Sequence, residues 1–304
     1  MKRMLIIGAL ASLLIGANAQ AADKLKVVTS IQDFASLTKE VGGDRVDVTS
    51  IAKGYQDPHF VEPKPSYLLL LRDADLLEVV GLELEIGWLP PLLDQSRNNR
   101  IRPGQAGYLD LSNGVSILDK PSSNVNRSMG DVHPLGNPHY WLDPVNAVRI
   151  AIQIQQKLAQ LRPADAPYFA QRLNDFKLRI NEANKRWLAT MAPYRGAKIV
   201  TYHNSWPNFA KYFGLDVVGY VEPKPGVPPS PSHTFDLIQM MKANKVKAIL
   251  MEPYFDAKTP QSIAERTGST LVVMYPSVGG AKSGTDDYIS LFNLNLSNLV
   301  KALR

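Results

Sequence analysis

Residues 163–191 read PADAPYFAQRLNDFKLRINEANKRWLATM, and this stretch decides the architecture. Its apolar positions include Phe169, Leu173, Phe176, Ile180 and Trp187, spaced by four, three, four and seven. That spacing puts them on one stripe of an α-helix that starts at Pro163 and runs to about Met191. Roughly 27 residues at 1.5 Å rise make a helix about 40 Å long, enough to cross a whole two-domain molecule. The heptad spacing would also suit one half of a coiled-coil dimer. A single stripe of about four heptads, lying between segments of a different pattern, favours an internal strut.

Both flanking segments alternate between strand and helix. Before the strut, Leu25–Ser30 reads as a first strand and Ile31–Val41 as a helix closed by Gly42-Gly43. Val46–Ile51 is a second strand, Lys64–Leu71 a helix, Ala74–Val80 a buried strand and Trp88–Gln95 a short helix. Residues from about Asn113 to Pro138 form a long loop rich in Ser, Asn, Gly and Pro. Val145–Leu161 is an amphipathic helix leading into the strut. Beyond Gly196 the strands are Lys198–Tyr202, Leu215–Val221, Val246–Met251 and Leu271–Met274. The helices between and after them are Trp206–Phe213, Ser232–Ala243, Pro260–Thr267 and Asp286–Leu303. Strands alternating with helices predict parallel sheets with helices on both faces. The expected fold is α/β: two parallel-sheet lobes joined by a long rigid connecting helix, with a binding cleft between them. The expected divisions are a leader at 1–21, a lobe at 22–144, connecting helices at 145–192 and a second lobe at 193–304.

The leader reads as a secretory signal. Met1-Lys2-Arg3 is basic, Leu5–Ala17 is apolar, and Ala19-Gln20-Ala21 is a small-residue cleavage site, so cleavage is expected before Ala22. The apolar run is too short for a lasting membrane helix. The chain has no cysteine, which excludes disulfides, thiolate metal sites and a lipidated cysteine. A soluble periplasmic protein is expected. The formal net charge of +6 includes two positive charges of the leader, and no Lys/Arg run makes a basic patch, so nucleic acid is not an expected partner.

The candidate chemistry lies in three of the five histidines. His59 ends Gly-Tyr-Gln-Asp-Pro-His, His139 lies in Gly-Asn-Pro-His-Tyr-Trp-Leu-Asp-Pro, and His203 lies in Thr-Tyr-His-Asn-Ser-Trp. Neutral imidazole is the commonest ligand for zinc and similar metals. In open parallel sheets, ligands bind beyond the C-terminal ends of the strands. His203 and Glu252 directly follow predicted strands, His59 follows one after a loop, and His139 enters from the long loop, stiffened by Pro138 and Pro144. Their joint placement predicts a metal site.

These motifs carry a resemblance over nearly the whole mature chain. Asp57-Pro58-His59 with Phe60-Val61-Glu62-Pro63, Asn137 to Pro144, Thr201 to Trp206 and Met251-Glu252-Pro253-Tyr254-Phe255 resemble the motifs of the periplasmic zinc- and manganese-specific binding proteins of ABC transporters. That resemblance implies two lobes on a rigid helix, His59, His139 and His203 as metal ligands, and an inner-membrane ABC permease as partner. The chain departs from the family in one place. Where members usually place an aspartate just before a proline, it reads Met274-Tyr275-Pro276. A neutral phenol is a poor ligand. The fourth position is then open to Glu252, to Glu222 in the Pro-rich loop, or to water. Glu252 is preferred because strand ends are stiffer than loops, and its rival role is to orient a ligand histidine.

Three imidazoles and at most one carboxylate favour zinc over manganese, which prefers oxygen, although copper(II) would also bind tightly. His133 reads as a solvated loop residue or an accessory ligand, and with Asp131 it is all that remains of the long His/Asp-rich loop of many zinc members. His233 reads as a helix-start residue. Gly279 to Thr285 lacks P-loop spacing, and no Gly-x-Ser-x-Gly elbow is present. The leading expectation is a monomeric, non-enzymatic zinc carrier. Its rivals are a secreted zinc hydrolase with Glu252 as base and a manganese-binding member of the same class.

Overall fold

A computed structural model describes residues 23–122, 125, 129–130 and 132–304. The expected leader and Asp131 lie outside the described residues. The chain forms two four-stranded parallel sheets. The first contains β1 (Leu25–Thr29), β2 (Val46–Ser50), β3 (Leu76–Val79) and β4 (Tyr108–Asp110) in the order β2-β1-β3-β4. The second contains β5 (Lys198–Thr201), β6 (Asp216–Tyr220), β7 (Ala248–Met251) and β8 (Thr270–Val273) in the order β6-β5-β7-β8. The two orders are the same topology. In each sheet the chain steps to one side of its first strand and then crosses to the other. That reversal makes the crevice at the strand C-termini in which ligands of such sheets sit.

Every strand read from the sequence is present within a residue or two at each end. The sequence reading missed β4, because Tyr-Leu-Asp is too short to show alternation. It pairs along β3 with Leu77 opposite Tyr108 and Val79 opposite Asp110.

The first lobe adds α1 (Gln32–Gly42), α2 (Pro65–Asp73) and α3 (Leu89–Ser96). Then come α4 (Pro144–Leu161) and the strut α5 (Ala166–Met191), which a tight 3-10 turn over Pro163–Asp165 precedes. The second lobe adds α6 (Pro207–Phe213), α7 (Pro231–Asn244), α8 (Lys258–Thr267) and α9 (Tyr288–Leu303). Asp143 caps α4 by accepting from the Val145 amide at 2.7 Å, next to Pro144 at the first helical position, a pairing suited to a helix start.

The predicted stripe of α5 is buried in full, extended by Ala183 and Met191. It faces inward, not toward a second chain. Near its start the Arg172 Nε donates to the Glu40 carbonyl of α1 at 2.8 Å. Near its end the Trp187 Nε1 donates to Asn293 Oδ1 of α9 at 2.8 Å. One helix therefore grips both lobes.

A single apolar core runs from Val27 and Phe34 through Phe176 and Trp187 to Phe209 and Phe292. Separate clusters cover the outer faces of the two sheets, around Leu77, Trp88 and Ile101 in one and Met241, Ile249 and Ile263 in the other. Sliding one lobe against the other would open the shared core, so apolar burial opposes large hinge motion. Polar contacts reinforce the join: the Trp141 Nε1 donates to the Pro276 carbonyl at 2.8 Å, and Ser277 Oγ donates to the buried Asp33 carboxyl. Among the described residues no helix is long and apolar enough to cross a membrane.

Candidate metal centre

The first motif works through a turn. The Asp57 Oδ1 accepts both the His59 backbone amide, at 3.0 Å, and the His59 Nδ1–H, at 2.7 Å. Pro58 between them fixes the backbone for this turn, and its carbonyl accepts from Trp88 Nε1 at 2.9 Å. The second motif repeats the device. The Asn137 Oδ1 accepts the His139 amide at 2.9 Å and its Nδ1–H at 3.0 Å. Asx-Pro-His is thus a local unit that aims a ring: because a side-chain oxygen accepts at Nδ1, the lone pair lies on Nε2. Asn137 also donates from Nδ2 to the Asn204 carbonyl at 2.8 Å, tying this motif to the residue that follows His203.

His203 needs no such turn. It leaves β5 directly, and its carbonyl accepts from Thr201 Oγ1 at 2.7 Å. Its Nδ1 bonds Glu222 Oε2 at 2.8 Å. Glu222 also accepts from the Gly226 amide at 3.2 Å, which holds it at the base of the Pro-rich loop. Glu222 therefore sits behind a ring nitrogen rather than facing inward as a free ligand.

The structure brings the three predicted histidines together. One ring nitrogen from each of His59, His139 and His203 lies within 4.8 Å of the other two. Their ring centroids are 5.2, 5.5 and 5.6 Å apart. Nitrogens bound tetrahedrally at zinc distances stand about 3.3 Å apart, and their ring centroids about 5 Å apart. The rings are thus already close to the spacing that a bound ion would impose. The Nε2 atoms of His59 and His139 are buried without a hydrogen-bond partner. Orphaned buried polar atoms are costly and point to a missing partner.

The surrounding charges sort the rings. Burial first, then the neighbouring histidines, push the His139 pKa well below its ordinary value. Burial also works against a charged His203, but the Glu222 bond and the charges of Glu252, Glu222 and Asp57 outweigh it and raise that pKa. Burial opposes ionisation of Asp57 too, but the bonds and charge of His59, with the charge of His203, together outweigh it and the pKa is lowered. Carboxylates behind two of the three rings supply charge that would offset a divalent cation.

Glu252 falls outside the histidine cluster. It is fully buried at the end of β7, its Oε1 accepts from Trp206 Nε1 at 2.9 Å, and its Oε2 has no partner. Burial raises its pKa to about 7. Tyr275 is pinned through its backbone: its amide and carbonyl both bond the Asn295 side chain, at 2.9 and 2.7 Å. His233 behaves as a helix-start residue. Its amide donates to Ser230 Oγ at 3.2 Å, and its Nε2 bonds the Tyr220 carbonyl at 3.0 Å. His133 is different. Its Nδ1 bonds the Leu82 carbonyl at 3.0 Å, its Nε2 is buried without a partner, and its ring lies 5.3 Å from that of His59. The reading of a solvated loop residue does not describe it. The sequence also left the positioning roles of Asp57 and Asn137 unread, although the repeated Asx-Pro-His was a signal for both.

Residues 27–302 match the ZnuA family, described as the periplasmic component A of a zinc-uptake complex. The chain belongs to this family of metal-binding components of ABC transporters. The match spans both lobes and all three histidine motifs. The chain is 24% identical over 293 residues to the manganese ABC transporter substrate-binding lipoprotein PsaA of Streptococcus anginosus, covering 94% of this chain and 91% of that protein. It is 24% identical over 287 residues to the high-affinity zinc uptake system protein ZnuA of Bacillus subtilis, covering 92% and 88%. A crystal structure of ZnuA superposes with a TM-score of 0.77 at 25% identity, covering 93% of this chain and all of that one. The family is one of substrate-binding components rather than enzymes, and its members act outside the cytoplasm.

Proposed function

We propose that this chain captures zinc outside the cytoplasm and delivers it, as a monomer, to an ABC permease at the inner membrane, without catalysing a reaction. The observation that carries this reading is the convergence of three ring nitrogens from three distant motifs within 4.8 Å of one another. His59, His139 and His203 bind the ion through Nε2. Asp57 and Glu222 orient their rings and offset its charge. Glu252 stands near His203 as a further buried carboxyl, the alternative to its acting as a ligand. Nitrogen donors with the carboxylates set one bond back suit zinc better than manganese, which favours oxygen. The metal is the cargo, so the site must also release it.

The remaining parts of the reading follow the chain. Residues 1–21 direct export to the periplasm and are removed. The lobes at 22–144 and 193–304 close on the metal from either side, and helices at 145–192 hold them. The experiment is a competition titration of chelator-stripped mature protein with zinc, manganese and copper, beside the His59/His139/His203→Ala triple variant. The expected result is one tight zinc site, weaker manganese, and loss of the site in the variant. Equal binding by the variant would overturn the reading.

A further inference from the structure

Neither of the carboxylates considered from sequence for the fourth position lies in the three-histidine group. The structure assigns a different residue to that position. We propose that His133, in the segment 132–138, is the fourth ligand of an ion held by His59, His139 and His203. The inference rests on the zinc-binding reading above.

Four observations carry it. The His133–His59 centroid distance of 5.3 Å falls within the 5.2–5.6 Å range of the three-histidine cluster. Its donor atom is not among the three that lie within 4.8 Å of one another, so its place is beside that group. A cavity of about 120 Å³ is lined by His133, His139 and His203 together, and an outer cavity is lined by His59 and His133. His133 is the histidine common to both.

Its orientation is also built. The Nδ1 bond to the Leu82 carbonyl leaves the Nε2 lone pair unpartnered and buried, as at His59 and His139. The carbonyl is presented by an unusual turn. Gly81, Leu82 and Glu83 follow one another at φ of 73°, 53° and 67°, a region that leucine and glutamate rarely adopt. The turn is held open by the buried Glu85 carboxyl, which accepts from the amides of Val80 and Gly81 at 2.7 and 3.2 Å. Strain retained in this way clusters at functional sites.

The backbone near His133 meets the other lobe. At Gly130 a Cβ would come within 2.3 Å of the Pro225 carbonyl oxygen, so the backbone of this loop lies against the Pro-rich loop of the other lobe. Nearby, Asn204 Nδ2 donates to Asp119 Oδ2 at 3.1 Å. Asp119, Asn204 and Pro225 also line the cavity shared by His133, His139 and His203.

The test uses cobalt(II) as a spectroscopic stand-in for zinc in the mature chain, with His133→Ala, Glu252→Gln and Tyr275→Phe beside the parent. The His133→Ala variant should still bind one ion. Its visible cobalt band should shift and weaken, and zinc transfer to a chelator should quicken by about 10–100-fold. The Glu252→Gln and Tyr275→Phe variants should keep the parent spectrum. A parent-like spectrum and zinc release rate in His133→Ala, or a changed spectrum in Glu252→Gln with none in His133→Ala, would overturn the inference and leave the three-histidine site standing. A parent that binds neither ion would overturn the zinc reading itself. Apo melting curves of parent and variant identify a loss of folding, and in that case His133→Gln, which keeps the loop contacts but offers no imidazole, gives the same two readouts.

Discussion

The two lobes share one topology but present their ligands differently. In the second lobe His203 leaves the strand β5 directly, so the sheet itself sets its backbone, and Glu222 has only the ring to orient. In the first lobe the ligand stands nine residues beyond the end of β2, and Asp57 must hold both the backbone and the ring of His59. His139 comes from the loop just before α4 and relies on the same double contact from Asn137. A stiff strand end on one side and turn-built loops on the other give a site with one fixed wall and one adaptable wall. That arrangement suits capture followed by release.

The largest effect is expected when a ring is removed. His139→Ala should weaken zinc binding by more than about a thousandfold, measured by chelator competition, because one of three converging nitrogen donors is lost. An effect under tenfold would mean that the loop wall holds no essential ligand.

The next test compares the supports. Loss of a partner behind a ligand histidine costs on the order of 10–100-fold in affinity. Asp57→Ala should fall at the upper end, since it frees the backbone of a loop. Glu222→Ala should fall at the lower end, since β5 still positions His203. Equal losses would remove the distinction between the walls.

The join between the lobes gives a smaller effect. A Cβ at Gly54 would stand 1.9 Å from the Val278 carbonyl oxygen, across the interface and on the loop that leads to His59. Gly54→Ala should therefore lower the melting temperature by several degrees and weaken zinc about tenfold, whereas Gly104→Ala, with nothing within 4 Å of its Cβ but a positive φ, should cost stability alone. Trp141→Phe removes the bond to the Pro276 carbonyl and should cost about 1 kcal/mol in denaturant unfolding, with zinc affinity nearly unchanged.

The pH dependence of the apo protein compares the equivalent strands β3 and β7. Glu78 lies within β3, and burial raises its pKa to about 8; Glu252 follows β7, and burial raises its pKa to about 7. A carboxyl with a folded pKa above its ordinary value near 4.5 binds its proton more tightly in the folded state. Stability should then fall as pH rises from about 4.5 through 7 and 8. Above about pH 6.5, where the lowered pKa values of His139 and His133 no longer oppose this trend, apo melting temperatures should fall toward pH 8, and Glu78→Gln should flatten that slope more than Glu252→Gln. A reversed order would show Glu252 to be the costlier buried acid.

Much of this was legible in the chain. The alternation of β-branched runs with helical stripes named the class, because side chains repeat with period two on strands and 3.6 on helices. The stripe from Phe169 to Trp187 named the strut, and three Asx-Pro-His or strand-His motifs named the histidines. Strand β4 was not legible, because three residues carry too little period. The role of Glu222 was not legible either: a carboxylate in a Pro-rich loop reads alike whether it meets a metal or the far nitrogen of an imidazole.

By itself the sequence determined the two α/β units, the helix that joins them and the donor types available, since these rest on local periodicity and residue chemistry. Only the tertiary structure decided that both lobes share one core, that Asp57, Asn137 and Glu222 stand behind their rings, and that His133 lies beside His59 while Glu252 lies outside the cluster. Those facts depend on contacts between residues up to about 140 positions apart within the site. No local pattern encodes such distances, because the packing of the whole chain sets them.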